Sequence, residues 1–227
     1  AYRSLRTSLQ FSSPDHPLKT FMVTSAHALE GKSTMAANLG VVMAQTGKSV
    51  VLVDADLRRP TVHKIFQLSN KEGLTNILFE THPTLDGHLQ QSGIRDLRVL
   101  TSGPLPPNPS ELLGSQKMHW LLEQIEQEAD VIIIDTPPIL PVTDAAVLAP
   151  QIDGVLIVTQ AGRTREGAAH QAVENLRQVG ANLLGVVLNR VSRGRSGSNY
   201  YYYYYSQDIK GRRRKRRKRR RVTLESQ

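Results

Sequence analysis

The chain has 227 residues, 39% of them hydrophobic, which supports one sizeable core, and it has no cysteine, which excludes disulfides, thiolate metal sites and a cysteine nucleophile. It has no apolar run of 18 residues, so no segment reads as a bilayer-spanning helix. The net charge of +9 is local: ten of the 29 Lys and Arg residues fall in 212–221 (RRRKRRKRRR), leaving 19 basic against 20 acidic residues elsewhere, and a near-neutral body argues against a basic nucleic-acid groove on the folded part.

Residues 1–10 (AYRSLRTSLQ) predict a short amphipathic helix, and a chain that opens inside a helix reads as a piece of something longer. A strand is predicted over 19–25, then a loop, then a helix over 32–46. KSVVLVD (48–54) is a strand apolar throughout, as expected where helices cover both faces of a parallel sheet. Further strands are predicted at 97–100, 130–135, 154–159 and 183–189, separated by helical patterns at 60–66, 110–128, 143–149 and 165–178. Alternating strands and helices imply an α/β fold with a doubly wound, mainly parallel sheet. From Ser192 the composition changes to a Gly/Ser/Arg linker, six tyrosines and the basic run. A folded domain over 1–191 and a flexible tail over 192–227 are therefore expected, because such a tail cannot bury enough apolar surface to offset its ordering entropy.

In sheets of this kind ligands bind at the carboxyl ends of the strands, and the notable residues all fall there. AHALEGKST (26–34) follows the first strand and opens a helix, the P-loop pattern with Ala26 in place of its first glycine. Glu30, Gly31, Lys32, Ser33 and Thr34 are the candidate nucleotide-binding residues. Backbone N–H groups cradle phosphates at such a helix start, Lys32 reaches the β- and γ-phosphates, and the Ser33 hydroxyl ligates Mg²⁺. The second strand ends in Asp54-Ala55-Asp56, two carboxylates able to face a Mg²⁺ ion and a substrate hydroxyl. DVIIID places Asp135 at the end of an apolar strand, where a Walker B carboxylate belongs. Arg58 and Arg59 are read either as charge-stabilising groups or as a solvated turn.

Together these residues resemble the bacterial tyrosine kinases, which share the P-loop branch of the partition and division-site-positioning ATPases. The resemblance spans roughly residues 1–205. Arg3 and Arg6 match the N-terminal E-x-x-R-x-x-R helix, and the resemblance makes them subunit contacts in a ring-like homo-oligomer, with an octamer as the size it suggests. VVLVDADLRRP resembles the family's additional Walker A′ motif, the most diagnostic stretch, and assigns Asp54 as base and Asp56 as Mg²⁺-linked carboxylate. Asn189 resembles the adenine-contacting residue of this branch. Tyr200, Tyr201, Tyr202, Tyr203, Tyr204 and Tyr205 match the family's autophosphorylation cluster. ATP and Mg²⁺ are the implied cofactors. The implied partners are a membrane activator domain, fused or separate, and a cognate tyrosine phosphatase, at the cytoplasmic face of the membrane in polysaccharide synthesis or export.

One departure stands out. The family loop reads P-G-E-G-K-S, and here Ala28-Leu29 replaces its Pro-Gly pair, with loss of glycine's freedom for positive φ and a consequence expected for ATP affinity. Rival readings are a nucleotide-sensing P-loop module, which Ala26 and Leu29 favour, and a partition ATPase, whose signature lysine would fall where His27 stands. The unmodified basic run is further expected to meet anionic lipid, and to be released when six phosphotyrosines add roughly −9 to −12 charges.

Overall fold

The computed structural model describes residues 1–12 and 18–191. Contacts divide the chain after Asn189 into a unit Ala1–Asn189 and a unit Arg190–Gln227, of which residues 190 and 191 are described. The expectations placed on 192–227, namely the flexible tail, Tyr200–Tyr205 and the basic run, lie outside the described residues.

The elements run α1 (Tyr2–Ser12), β1 (Thr20–Ser25), α2 (Lys32–Ala44), β2 (Val50–Asp54), α3 (Val62–Phe66), α4 (Leu74–Phe79), β3 (Gln90–Gln91) and β4 (Leu97–Leu100). They continue α5 (Pro109–Leu113), α6 (Gln116–Glu128), β5 (Val131–Asp135), α7 (Asp144–Leu148), β6 (Gly154–Gln160), α8 (Glu166–Gln178) and β7 (Leu183–Asn189). The sheet order is β3-β4-β2-β5-β1-β6-β7, parallel at every pairing except β3 with β4.

Successive residues of each apolar strand point to opposite faces and enter separate cores. Met22, Val51, Val53, Ile132 and Ile134 pack with Leu113, Met118, Leu121, Ile125 and Leu148 of α5, α6 and α7. Phe21, Val23, Val50, Leu52 and Ile133 pack with Met35, Leu39 and Met43 of α2 and Leu9 of α1. A buried aliphatic side chain contributes about 1.5–3 kcal/mol, so these two layers are the main stabilisation of the fold.

The six predicted strands are all present. The single helix expected over 110–128 is two, because Ser115 caps α6 by accepting from the Met118 N–H at 3.2 Å. Two elements were not expected, α4 and β3. α4 is only six residues long, and its position is set from outside: the Leu74 and Thr75 N–H groups donate to the Thr101 and Ser102 carbonyls. β3 is two glutamines with no apolar signature.

Candidate active site

The site is assembled by the order β2-β5-β1. Asp54 is the register partner of Asp135 on the adjoining strand, and β1, next in order, runs into the phosphate loop. Asp54, Asp56, Asp135 and Lys32 are all buried.

Lys32 lies across this cluster. Its Nζ is 2.6 Å from Asp56 Oδ2, 3.6 Å from Asp135 Oδ1 and 3.2 Å from Ser33 Oγ. Burial alone would lower its pKa, but Asp135, Asp56 and Asp54 outweigh burial and raise it, so the ammonium is charged at neutral pH. Asp56 Oδ1 accepts the Arg59 N–H at 2.9 Å. Asp54 Oδ2 accepts from Val62 N–H at 3.0 Å and Thr61 N–H at 3.2 Å. Burial, then the neighbouring Asp135, push the Asp54 carboxyl up to about 8. Burial likewise pushes Asp135 up to about 6, opposed by Lys32 and Ser33.

Neither carboxylate oxygen of Asp135 has a hydrogen-bond partner, although both are buried. A buried carboxylate held only by the ion pair with Lys32 at 3.6 Å has lone pairs left to offer a ligand. Among the described residues no group of three or more His, Cys, Asp or Glu side chains forms a metal cage. Mg²⁺ keeps several waters and takes one or two carboxylates together with substrate phosphates, and the buried Asp135 carboxylate beside Asp56 and Ser33 fits that need. Ser33, Asp56 and Asp135 supply such a donor set.

The loop itself is concave because two residues are left-handed, Leu29 at φ 68° and Gly31 at φ 95°. Glu30, between them, is buried and ties the turn together: its Oε2 accepts the His27 N–H at 3.0 Å and its Oε1 accepts the Thr164 hydroxyl. Asn189 Nδ2 donates to the Glu30 carbonyl at 3.0 Å, so the end of β7 braces the loop directly. A Cβ at Gly31 would lie 2.3 Å from that same nitrogen, so only glycine fits on both conformational and steric grounds.

The loss of glycine at position 29 does not block the turn. Leu29 adopts the left-handed conformation itself and leaves its side chain 71% exposed, outside the cradle. The cost is local strain of about 1–2 kcal/mol. Leu29→Gly is therefore expected to raise thermal stability, by no more than the 2–4 °C that about 1 kcal/mol represents in a domain of this size, because glycine's unfolded-state entropy returns part of the gain. A thermal melt that falls instead would show that position 29 carries no strain.

The structure thus brings together Lys32, Ser33, Asp54, Asp56 and Asp135, with Glu30, Gly31 and Asn189 shaping the loop beside them. Thr34 is on the exposed side of the first turn of α2. Arg3 is exposed on α1, and Arg6 donates to the Val42 carbonyl at 2.8 Å, fastening α1 to α2 within the chain. Arg58 is exposed but not unpaired: its Nε and Nη2 form a fork on buried Asp144 at 2.8 and 2.9 Å, and Ser110 Oγ joins Asp144 at 2.5 Å. Thr164 and Asp144 escaped the sequence reading. Asp144 opens a helix that the sequence predicts, but no local pattern marks it as buried or as the partner of Arg58.

Residues 18–218 match the model of the ParA family described as NUBPL iron-transfer P-loop NTPase. The tyrosine-protein kinase YwqD of Bacillus subtilis (strain 168) is 47% identical over 188 residues, which are 83% of this chain and 79% of that protein. The kinase domain of the Escherichia coli tyrosine kinase ETK superposes with a TM-score of 0.79 at 36% identity, over 86% of this chain and 77% of that one. The septum site-determining protein MinD of Pyrococcus horikoshii OT3, in complex with Mg-ADP, gives a TM-score of 0.65 at 19% identity over 78% of this chain and 72% of that one, a likeness of fold.

Proposed function

The chain belongs to the bacterial tyrosine-protein kinases, P-loop enzymes on a ParA-type fold, and from that premise we propose that it is an ATP-dependent autokinase whose acceptors are Tyr200 to Tyr205. The observation that carries this reading is the convergence of Lys32 with three buried carboxylates beside a P-loop. A simple binding module has no need of a second and third buried acid at that point.

Phosphoryl transfer requires positioning and charge neutralisation more than covalent chemistry. Glu30, Gly31, Lys32, Ser33, Thr34 and Asn189 form or brace the nucleotide cradle. Bound Mg²⁺ would neutralise charge on the β- and γ-phosphates, held by Ser33, Asp56 and Asp135. Lys32, now paired with Asp56, would offset charge on the γ-phosphate, and Asp56 would then be available to hold the metal. Asp54 takes the proton of the incoming phenol. Tyrosine ionises near pH 10, so the proton moves as the O–P bond forms, and Asp54, whose resting carboxyl is pushed up to about 8 by burial, must first give up its own proton to act as that base.

The rest of the assignment follows the family resemblance. Arg3 and Arg6 contribute to a ring-like homo-oligomer, in which Arg6 exchanges or shares its Val42 contact. A membrane activator, fused or separate, and a tyrosine phosphatase set the phosphorylation level, at the cytoplasmic face of the membrane, in regulating polysaccharide synthesis and export. The basic run at 212–221 adheres to anionic lipid until phosphorylation offsets its charge.

The test is phosphotyrosine formation in Mg-ATP, comparing the parent with a variant in which Tyr200 to Tyr205 are all phenylalanine. Loss of at least nine-tenths of the signal in the variant is expected, with nucleotide binding kept. A full signal there would move the acceptor elsewhere, and a silent parent supplied with its activator would sink the kinase assignment for this chain.

A further inference from the structure

A cleft of about 460 Å³ lies beside the site, on the outer side of the loop that follows β2. Arg58, Arg59, His63 and Lys64 line it together with Pro104 and Leu105, and no carboxylate is among its lining residues. Arg58 is already neutralised from behind by Asp144. Among the described residues neither Arg59 nor Lys64 has an ion-pair partner, and both are exposed.

The loop is two-sided. Its backbone N–H groups at Arg59, Thr61 and Val62 turn inward to Asp56 and Asp54, while the side chains of Arg59 and Lys64 reach the cleft. The cationic lining is therefore one loop's thickness from the carboxylate that would meet the acceptor phenol. In the same cleft Leu105 is 61% exposed and Pro104 is exposed, an apolar surface open to solvent.

An unpartnered guanidinium and ammonium in a cleft with an apolar surface suit a ligand with a flat apolar body and a dianionic tip. Guanidinium favours phosphate because its planar fork donates two parallel hydrogen bonds, and the ring of an aryl phosphate would cover the proline and leucine. We infer that this cleft is a subsite for phosphotyrosine, which holds an already modified residue of a tyrosine-rich peptide while a neighbouring tyrosine meets Asp54. The inference rests on the tyrosine-kinase reading above. It gives the enzyme a preference for finishing a cluster it has begun, since consecutive residues of an extended peptide are at most about 3.6 Å apart along the chain.

The test uses the full chain with Tyr200 to Tyr205 changed to phenylalanine, so that no acceptor of its own competes. Three synthetic peptides of residues 198–207 serve as probes: unmodified, phosphorylated at Tyr203, and with phosphoserine at that position. Fluorescence anisotropy without ATP, at fixed ionic strength, is expected to show the phosphotyrosine peptide binding at least about tenfold more tightly than the other two. Arg59→Ala combined with Lys64→Ala is expected to erase that advantage. Lys48→Ala, which removes one charge at the opposite end of the sheet, is expected to keep it.

Equal binding of the phosphorylated and unmodified peptides overturns the inference, as does an advantage that survives in the double variant. If the double variant instead loses binding to phosphatidylserine vesicles with no change in peptide discrimination, the patch is a membrane contact and the inference fails. Because the binding assay needs no turnover, a kinase that proves silent in Mg-ATP while still discriminating the peptides would overturn the catalytic reading and leave the subsite standing.

Discussion

Lys32→Met is expected to reduce phosphotyrosine formation by on the order of 10³-fold, the scale on which removing a single donor aimed at transition-state charge acts. The same change has a second effect that follows from the apo geometry. Lys32 is the cation 2.6 Å from Asp56 and 3.6 Å from Asp135, all buried, so removing it strands two carboxylates. Breaking a buried pair by truncating one partner costs about 3–5 kcal/mol. Urea denaturation at pH 8 without nucleotide should therefore show a loss of roughly that size. The loss should shrink near pH 6, where Asp135 begins to take up a proton. Lys32→Arg keeps the charge and is expected to recover most of the stability but little of the activity, because the longer planar fork cannot occupy the place of a point ammonium. Undiminished phosphotransfer in Lys32→Met would refute the role given to the loop.

Asp54→Asn is expected to lower turnover by about 10²–10⁴-fold, the usual worth of a positioned general base. In protein free of nucleotide and metal it should also change how stability depends on pH. The Asp54 carboxyl titrates near 8 when folded, against an ordinary value of 3.8. Between those values the folded state holds a proton that the unfolded chain has released. Stability therefore falls as pH rises through this window and levels off above about 8. Asp135 adds a slope of the same sign that ends near 6. Lys32, raised above 10.5, contributes stability that is fully present across the neutral range and adds no tilt there. Between pH 6 and 8 the Asp54 slope approaches 1.4 kcal/mol per pH unit. Denaturation curves in EDTA should show that slope in the parent and its loss in Asp54→Asn, where the amide oxygen still accepts from Thr61 and Val62. Equal slopes in the two proteins would place the titration elsewhere.

The two substitutions separate two roles that the carboxylate cluster combines. Lys32 offsets charge that burial makes costly, while Asp54 is kept protonated by that same burial until substrate and metal arrive. A cluster of this kind is destabilising in the resting protein and is retained for what it does on binding.

Much of this was legible in one dimension. The apolar runs at 50–53 and 131–134 declared themselves strands because a parallel sheet covered on both faces leaves no polar alternation. The glycine, lysine and serine at 31–33 declared a phosphate loop because a strand preceded them and a helix followed. These signals depend on neighbours a few residues apart, where backbone preference and side-chain period act directly. Ser115 splits a predicted helix for an equally local reason, a capping oxygen that starts α6 and that an apolar pattern does not register.

What only the tertiary structure decided is which strand ends stand side by side. Nothing in the spacing of Asp54 and Asp135 states that β5 enters the sheet between β2 and β1, yet that insertion makes them register partners and places both against Lys32. Arg58 and Asp144 are 86 residues apart, and Glu30 and Thr164 are 134 apart. Each pair is polar and lies in a turn or at a helix start, so neither has a periodicity to betray it. Leu29 entered the left-handed region against its own preference because Glu30, anchored at the His27 N–H and the Thr164 hydroxyl, holds the loop in place. Local propensity chooses the elements; the order in which they pack into one sheet, with the long-range hydrogen bonds that order permits, makes the site.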